Sequence, residues 1–559
     1  MLGRDAQSTN CCVIPQCRLV GGPGLRAKLK PTVRDAWTLN DVADRMRVTI
    51  GGEDMRTKAI TTRRGFLEAL GGFAASSWGI SQLNALEQDI CAATYYGPIC
   101  LDPDNPHYFS FQGKPRVLVG SGEHYGAVLN TKFDYSRYLE TLAKAGMNHT
   151  RLFSGAYREV PGDFHIVQNT LAPDAKNFLC PWARSGTPGA VDGLNKFDLG
   201  RWDEAYSRRL VDFIATASRH EVAVEVNLFC PFYEDSMWSV SPLNSRNNIN
   251  GVGDLSRTDV YALKDRRLQE VQDDMARHII SALANFDNFY FEICNEPYFG
   301  GVTLEWQQHI AEVIADAEGP LAKHHLISQN ISNGSQPVTH PDPLVSIFNF
   351  HYSRPPDSVA LNYELNKAIG MNETGFDGAD DAPYRIQGWD FLVAGGSLYS
   401  NLDYSFVAGH EDGTFNVKRV GGGGLTLRRQ LNVLRQFMEG LQFAHMAPAP
   451  GVVKRLTPAG ASVRVLAEPG RSYAVYLHHG RPAKKEKPGA VPYVVDSNAH
   501  REKLAVDLPR NSYVAEWIDT KTGYIEKDER FDHEGGVKIL AAPEYAEDIA
   551  LRILAVPHG

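Results

Sequence analysis

The chain has 559 residues, of which 43% are hydrophobic and 22% are charged, and its formal net charge is -9. This length accommodates a barrel of about 250 to 350 residues and one smaller domain. The negative charge argues against a nucleic-acid partner, because binding to a phosphate backbone needs clustered Lys and Arg. A neutral polymer is a better match to this composition.

The first 92 residues are predicted to be an N-terminal extension that carries an export signal. Segment 61–67, with Arg63 and Arg64 ahead of Phe66 and Leu67, resembles a twin-arginine signal followed by a weakly apolar stretch. The alternative is a short surface helix with two solvated Arg. No run reaches the roughly 18 apolar residues of a membrane span, so we expect a periplasmic or secreted protein without stable membrane insertion.

Five cysteines follow this predicted signal, and an odd number cannot pair completely. Cys91 and Cys100 are close enough in sequence to close a small loop in an oxidising compartment. Cys230 and Cys294 stand at the ends of apolar runs, where a buried thiol is the expected state.

The histidines and cysteines show no zinc-site spacing. His324 and His325 are adjacent, as are His478 and His479, whereas two ligands on one helix face would lie a helical turn apart. The sequence therefore predicts neither a metal nor a cofactor.

Residues 93–447 are predicted to form an α/β domain in which short apolar runs alternate with amphipathic stretches such as 201–220 and 263–286. Eight strand-helix units favour a (β/α)8 TIM barrel. An open doubly wound sheet is the alternative, but no Gly-rich fingerprint follows the first strand. The eight candidate strands are 117–121, 150–153, 222–229, 289–294, 326–329, 345–350, 368–371 and 397–399.

Two long connections follow the second and third candidate strands, on the face where barrels keep their active sites. They span 154–197 and 231–251. Tyr233 and Trp238 in the second connection are candidates for stacking on sugar rings. The alternative is that they pack this loop onto its own barrel.

Residues 448–559 show alternating strand patterns without helices, separated by turn signals such as Glu468-Pro469-Gly470. This pattern is typical of a small β-sandwich.

Two carboxylates end apolar runs in the predicted barrel. Glu296 lies in Asn295-Glu296-Pro297, directly after the fourth strand, and Glu373 lies 77 positions further on, at the end of the seventh. Two carboxylates at the mouth of one barrel are the minimum set of catalytic groups for hydrolysing a glycosidic bond. A neighbouring carboxylate is expected to raise the pKa of the acid. Glu292 lies deeper in the fourth strand and is interpreted as a buried support.

These motifs resemble clan A glycoside hydrolases, most nearly the cellulase-like family 5, over residues 117–443. The resemblance implies that Glu296 is the acid/base and Glu373 the nucleophile. It also implies the following supporting and substrate-binding residues: Asn295 on the substrate 2-hydroxyl, Arg151 beside the nucleophile, and the pair His351 and Tyr352 after strand six. The C-terminal module is similar to the β-sandwich that follows the barrel in some bacterial hydrolases and is named for collagen binding. That similarity implies an architecture and no collagen ligand.

Two features depart from the common cellulases. Strand eight lacks the Trp that usually floors the subsite of the cleaved sugar, and Trp389 lies upstream on the preceding predicted helix. Glu123, His124 and Tyr125, which end strand one, are predicted to bind sugar hydroxyls.

The resulting hypothesis is a secreted retaining glycoside hydrolase that cleaves β-glycosidic bonds of a polysaccharide or oligosaccharide by double displacement. The alternatives are a non-catalytic carbohydrate-binding barrel and another barrel hydrolase, such as an amidase or a metal-dependent enzyme. The sugar, the linkage and the oligomeric state are not determined by the sequence.

Overall fold

The computed structural model describes residues 97–416, 421–483 and 493–556, which belong to one compact unit. The twin-arginine-like segment and Cys91 lie outside the described residues, so the export signal and the pairing of Cys91 with Cys100 stay predictions. Cys180, Cys230 and Cys294 are buried free thiols. None of the described helices combines the length and apolar character that crossing a bilayer requires.

Eight parallel strands form a nearly closed barrel, and each overlaps one of the eight predicted strands. Their spatial order is β1-β8-β7-β6-β5-β4-β3-β2, as expected for consecutive strand-helix units. The fold prediction is therefore confirmed. The strands are β1 (Leu118–Gly122), β2 (His149–Phe153), β3 (Ala223–Phe229), β4 (Phe289–Cys294), β5 (Ile327–Asn333), β6 (Ile347–His351), β7 (Ala368–Glu373) and β8 (Leu398–Leu402).

The barrel closes between β1 and β2 through one side chain. Asn148 accepts a hydrogen bond at Oδ1 from Val119 N (2.7 Å), and its Nδ2 donates to Val117 O (2.9 Å). Its backbone N–H also donates to Val119 O (3.1 Å). The amide of Asn148 thus replaces the ladder that would otherwise join the two strands.

The helices bury one apolar face against these strands, and three of the longer ones begin at an aspartate cap. Asp134, Asp203 and Asp265 each accept two backbone N–H groups of the first turn. The helices are α1 (Tyr135–Lys144), α2 (Glu204–Arg219), α3 (Asp235–Val240), α4 (Arg266–Leu283), α5 (Leu304–Glu318), α6 (Asp357–Asn362), α7 (Asp381–Val393) and α8 (Leu425–Glu439).

A small antiparallel sheet of Cys100–Leu101, Phe109–Phe111 and Lys114–Arg116 precedes the barrel. Phe109 packs with residues that begin the barrel strands, in a separate apolar cluster. This sheet therefore covers the end opposite the mouth. The long connection after β2 contains a second hairpin, Trp182–Pro188 with Asn195–Trp202.

The C-terminal region is built of antiparallel sheets, as predicted. A six-stranded sheet has the order β9-β11-β12-β21-β17-β18, and a three-stranded sheet has the order β10-β16-β19. The strands are β9 (Ala447–Pro448), β10 (Val453–Thr457), β11 (Ser462–Glu468), β12 (Ser472–His478), β13 (Gly480–Pro482), β14 (Tyr493–Val495), β15 (Ala499–His500), β16 (Lys503–Leu508), β17 (Asn511–Ile518), β18 (Ile525–His533), β19 (Gly536–Ala541), β20 (Tyr545–Ala546) and β21 (Asp548–Ala555).

Helix α7 joins the barrel to these sheets. Its Trp389 stacks on Tyr476 of β12 with ring centroids 5.4 Å apart. Arg385 of the same helix lies 2.7 Å from Asp548 of β21, and both side chains are buried. Since α7 follows β7, the sheets pack directly behind the strand that ends at Glu373.

Candidate active site

Glu296 and Glu373 meet at the mouth of the barrel, where β4 and β7 end. Both are largely buried, with 8% and 7% of their surface exposed. His351, at the end of β6, lies between them, with Nδ1 3.0 Å from Oε1 of Glu296 and 3.4 Å from Oε1 of Glu373. One oxygen of each carboxylate lies within 4.8 Å of the other and of the imidazole.

Glu373 receives three hydrogen bonds from residues that the sequence singled out. The hydroxyl of Tyr125 donates to Oε2 at 2.7 Å, and Arg151 Nη1 donates to the same oxygen at 3.3 Å. The hydroxyl of Tyr352 donates to Oε1 at 3.1 Å. These donors engage both oxygens of the carboxylate and fix its orientation.

Glu296 is held by two tyrosines in addition to His351. Tyr233 donates to Oε2 at 2.6 Å, and Tyr298 donates to Oε1 at 3.1 Å. Burial raises the pKa of Glu296, but the hydrogen bonds from His351 and the two tyrosines outweigh it, so the pKa is lowered. The expectation of a raised pKa is therefore wrong for the free protein, because these donors outweigh the effect of burial.

Three of these residues have unusual backbone geometry. Tyr125, Glu296 and Tyr352 adopt positive φ angles of 59°, 38° and 51°. Non-glycine residues rarely adopt this region, and it costs about 1 to 3 kcal/mol where the surroundings hold it. All three lie where side chains meet at the two carboxylates.

Arg151 connects the site to a buried network beneath it. Its guanidinium binds Oε2 of Glu292 and also lies 3.4 Å from Oε2 of Glu225. Asn372 donates to both of these carboxylates. Burial, followed by the charge of Glu292, raises the pKa of Glu225 to about 8. Glu292 is thus a buried support, as the sequence predicts. Arg151 lies beneath the two carboxylates and does not line the cavity that they face.

The carboxylates face a cavity of about 970 Å³. Three aromatic side chains that the sequence analysis did not single out line it and remain substantially exposed: Phe164 (40%), Phe299 (42%) and Phe376 (38%). Exposed rings in a concave site offer flat apolar surfaces to a ligand. The predicted residues that line the cavity are His124, Tyr125, Tyr233, Asn295, Glu296, Tyr352 and Glu373.

Asn295 has both ends of its amide engaged at the edge of the cavity. Its Oδ1 accepts from Arg151 Nη2 at 2.8 Å, and its Nδ2 donates to the Tyr233 hydroxyl at 2.9 Å. His124 reaches the cavity with Nε2 3.0 Å from Glu159 Oε1. Both side chains are therefore held in place before any ligand binds.

Besides Arg151 and His351, which contact the two carboxylates, two predicted binding residues do not line the cavity. Glu123 is buried and accepts the backbone N–H groups of Gly126 and Ala127, both at 2.9 Å, so it supports the loop after β1. Trp238 is 5% exposed and donates its indole N–H to Leu255 O at 3.0 Å. The expectation that it stacks on sugar is wrong, because it packs its own loop. Tyr233 and Glu234 of that loop line the cavity.

Other residues of the site were missed because their positions depend on loop paths. Tyr298, only two positions after Glu296, has the clearest sequence signal, since it follows the same strand end. Arg354 forms an ion pair with Asp377 and lies between the rings of Tyr352 and Tyr493, 5.7 Å from each centroid. Tyr493 belongs to the C-terminal sheets, as does Pro482, which lines the cavity.

Several solved structures share this fold. A candidate glycoside hydrolase from Bacteroides vulgatus has 15% identity and a TM-score of 0.54, and the match covers 82% of each chain. A family 5 glycoside hydrolase from the same organism has 13% identity and a TM-score of 0.52, over 82% of this chain and 94% of the other. No protein-family model and no curated protein matches the sequence. At these identities the likeness shows the fold.

Proposed function

We propose that the protein is a retaining glycoside hydrolase that cleaves β-glycosidic bonds of a polysaccharide or oligosaccharide. The observation that carries this proposal is the pair Glu296 and Glu373, with carboxylate oxygens within 4.8 Å of each other at the mouth of the barrel. Retaining enzymes hold their carboxyl groups about 5 to 5.5 Å apart, whereas inverting enzymes need about 6.5 to 9.5 Å to admit a water.

In the first step, Glu373 attacks the anomeric carbon while Glu296 protonates the glycosidic oxygen, and the leaving sugar departs with that proton. Glu373 suits attack, because hydrogen bonds from Tyr125, Arg151 and Tyr352 hold its carboxylate in a fixed orientation. A covalent glycosyl ester on Glu373 results. In the second step, Glu296 takes a proton from water, which attacks the same carbon and releases Glu373.

His351 provides the proton that it shares with the carboxylates of Glu296 and Glu373. Burial lowers the pKa of His351, but the charges of Glu373 and Glu296 outweigh it and raise the pKa. In the free protein the proton therefore rests on the imidazole and is donated toward Glu296. A bound sugar displaces water and favours the neutral carboxyl, so the proton moves along this 3.0 Å contact to Glu296.

A carbohydrate substrate is also supported by the cavity itself. Its exposed phenylalanines offer stacking surfaces, and Asn295 and His124 offer polar groups at fixed positions. We propose that the rings of Phe164, Phe299 and Phe376 provide stacking surfaces in a cavity whose strand eight lacks a Trp. We further propose that the protein acts outside the cytoplasm. The twin-arginine-like segment is the support for this proposal.

A non-catalytic carbohydrate-binding barrel is the second candidate. It requires the same cavity but gives no role to the three donors on Glu373 or to the strained backbone of Glu296. We therefore favour the enzyme.

The test is hydrolysis of a panel of aryl β-glycosides and β-linked polysaccharides by the purified protein. Glu296→Gln should lower the rate on natural substrates by about 10²- to 10⁴-fold. Glu305→Gln, which removes an exposed carboxylate in the first turn of α5, is the matched control. Proton NMR of the anomeric signal in the first minutes should show the substrate's own configuration. The initial appearance of the opposite anomer would rule out double displacement, and no cleavage of any substrate would favour the binding protein.

A further inference from the structure

The cavity contains a further carboxyl group that the two catalytic steps do not use. Glu159, in the long connection after β2, lines the cavity, although only 3% of its side chain is exposed. Nε2 of His124 lies 3.0 Å from Oε1 and 3.2 Å from Oε2 of this side chain. Burial lowers the pKa of His124, but the charge of Glu159 and its hydrogen bond outweigh burial and raise the pKa. The two side chains therefore form a buried ion pair in the cavity wall.

Glu159 is held in place by its own loop. Asn169 Nδ2 donates to Oε2, and the Tyr157 hydroxyl lies 3.4 Å from Oε1. The backbone N–H of Glu159 donates to Leu171 O at 3.0 Å. A carboxylate has about four acceptor positions, and the long contact with Tyr157 leaves room for a better donor. A ligand hydroxyl that reaches this wall can therefore donate to Glu159.

The pair of His124 and Glu159 lies on the side of the cavity that belongs to the nucleophile. His124 directly precedes Tyr125, whose hydroxyl donates to Glu373, and the rings of His124 and Tyr125 stack with centroids 5.5 Å apart. The charge of Glu373 also contributes to the raised pKa of His124. The sugar that becomes bonded to Glu373 therefore lies beside this pair.

The side of the cavity that belongs to the acid is different in character. Tyr233 donates to Glu296, and the rings of Phe164 and Phe299 lie 5.4 and 5.7 Å from the ring of Tyr233. The leaving part of the substrate therefore meets an aromatic wall, whereas the reacting sugar meets a charged one.

The side chains that line the cavity include more carboxyl groups than basic groups. The basic groups are His124 and Arg354, and the carboxyl groups are those of Glu159, Glu234, Glu296 and Glu373. His124 is paired with Glu159, and Arg354 is paired with Asp377. Among the described lining residues, both basic groups thus already have a carboxylate partner, and an acidic sugar would face carboxyl groups.

We propose that Glu159 accepts a hydrogen bond from a hydroxyl of the sugar that reacts with Glu373, and that this sugar is uncharged. Given the proposed hydrolase activity, on which this assignment rests, the substrate is a neutral β-glycan and not a chain of uronic acids or sulfated sugars. A hydroxyl can donate to Glu159, whereas a carboxylate on the substrate would be repelled by Glu159 and Glu373. His124 holds Glu159 in position.

The test compares 4-nitrophenyl β-glycosides that differ only at C6: glucoside with glucuronide, mannoside with mannuronide, and galactoside with galacturonide. At neutral pH the second member of each pair carries a carboxylate. In every pair that is cleaved, kcat/KM should be at least about 100-fold higher for the neutral member. Glu159→Gln should lower kcat/KM for that member by about 10- to 100-fold. It should also bring the ratio of the two values closer to one, because it removes a repelling charge.

Glu318→Gln is the matched control. Glu318 is also buried and lies 2.6 Å from an imidazole, at Nδ1 of His325, but it ends α5 and does not line the cavity. Its variant loses the same type of pair and should keep the ratio of neutral to acidic substrates, whatever the change in its Tm. A change of ratio in Glu159→Gln alone therefore reports contact with the substrate and not lost packing.

Binding of the same glycosides to Glu373→Ala, measured by calorimetry, separates this assignment from the hydrolase itself, because binding needs no cleavage. The neutral members should bind more tightly, and Glu159→Gln added to this chain should weaken them. Such binding without hydrolysis by the unmodified chain would reject the hydrolase and retain the neutral-sugar site. Equal or faster cleavage of the acidic members, an unchanged ratio in Glu159→Gln, or binding that does not favour the neutral members would each overturn the assignment, even where the enzyme is active.

Discussion

Nδ1 of His351 lies 3.0 Å from Oε1 of Glu296, close enough for a proton to be shared between them. The same nitrogen faces Glu373 at 3.4 Å, so two carboxylates compete for one imidazole proton. This arrangement lets one proton move between His351 and Glu296, and one proton and one anion are what an acid and a nucleophile need together.

Replacing His351 with Asn should shift the pH dependence of kcat/KM. In the unmodified protein the proton that His351 and Glu296 share is lost last from the His351 imidazole. Glu373 and Glu296 raise the pKa of this imidazole above its usual range. In His351→Asn it leaves from Glu296, and the ordinary pKa of a glutamic acid, about 4.3, lies below that of histidine, about 6.5. The basic limb should therefore move to lower pH. His309→Asn, which alters a histidine paired with Asp273 on the outer helices, is the control and should not move it.

Glu373→Ala should abolish turnover of an activated aryl β-glycoside, and added azide should restore it. A small anion can occupy the place of the missing carboxylate and attack the same carbon, so the rescued product should be a glycosyl azide of inverted configuration. Product analysis by NMR checks this. Unchanged activity without azide would remove Glu373 from the mechanism.

The ion pair between Arg385 and Asp548 should matter for stability. Both side chains are at most 2% exposed, so Arg385→Met leaves a buried carboxylate without its cation. Such a loss costs about 3 to 5 kcal/mol, measured as the free energy of unfolding in urea. Arg208→Met removes an exposed partner of Glu204 and should change this free energy by less than about 1 kcal/mol. Equal effects of the two substitutions would show that α7 does not depend on this pair.

The Arg63 and Arg64 pair is expected to direct export of the folded protein. We expect the unmodified chain outside the cytoplasm of the native host, and replacing both Arg by Lys should leave the activity in the cytoplasmic fraction. A chain with Phe111→Tyr carries a change remote from the signal and serves as the export control. Export of the double Lys variant at the normal level would contradict the prediction.

The positions of the barrel strands could be predicted because each is a short buried run with its own local signal. The residues of β4 are apolar or buried on both faces, so the run 289–294 is visible without any partner strand. The same reasoning placed Glu296 and Glu373 at strand ends, and parallel strands in a barrel bring those ends to one mouth.

Only the tertiary structure decided what surrounds these carboxylates. The lowered pKa of Glu296 depends on Tyr233, Tyr298 and His351, which come from three different strand ends. Trp238 and Glu123 turn away from the cavity because each satisfies a hydrogen bond within its own loop. Sequence patterns report only how burial alternates along a short stretch of chain. The contact of Pro482 with the cavity and the contact of His479 with Glu502 depend on how distant segments pack. No local pattern contains the free energy of that packing.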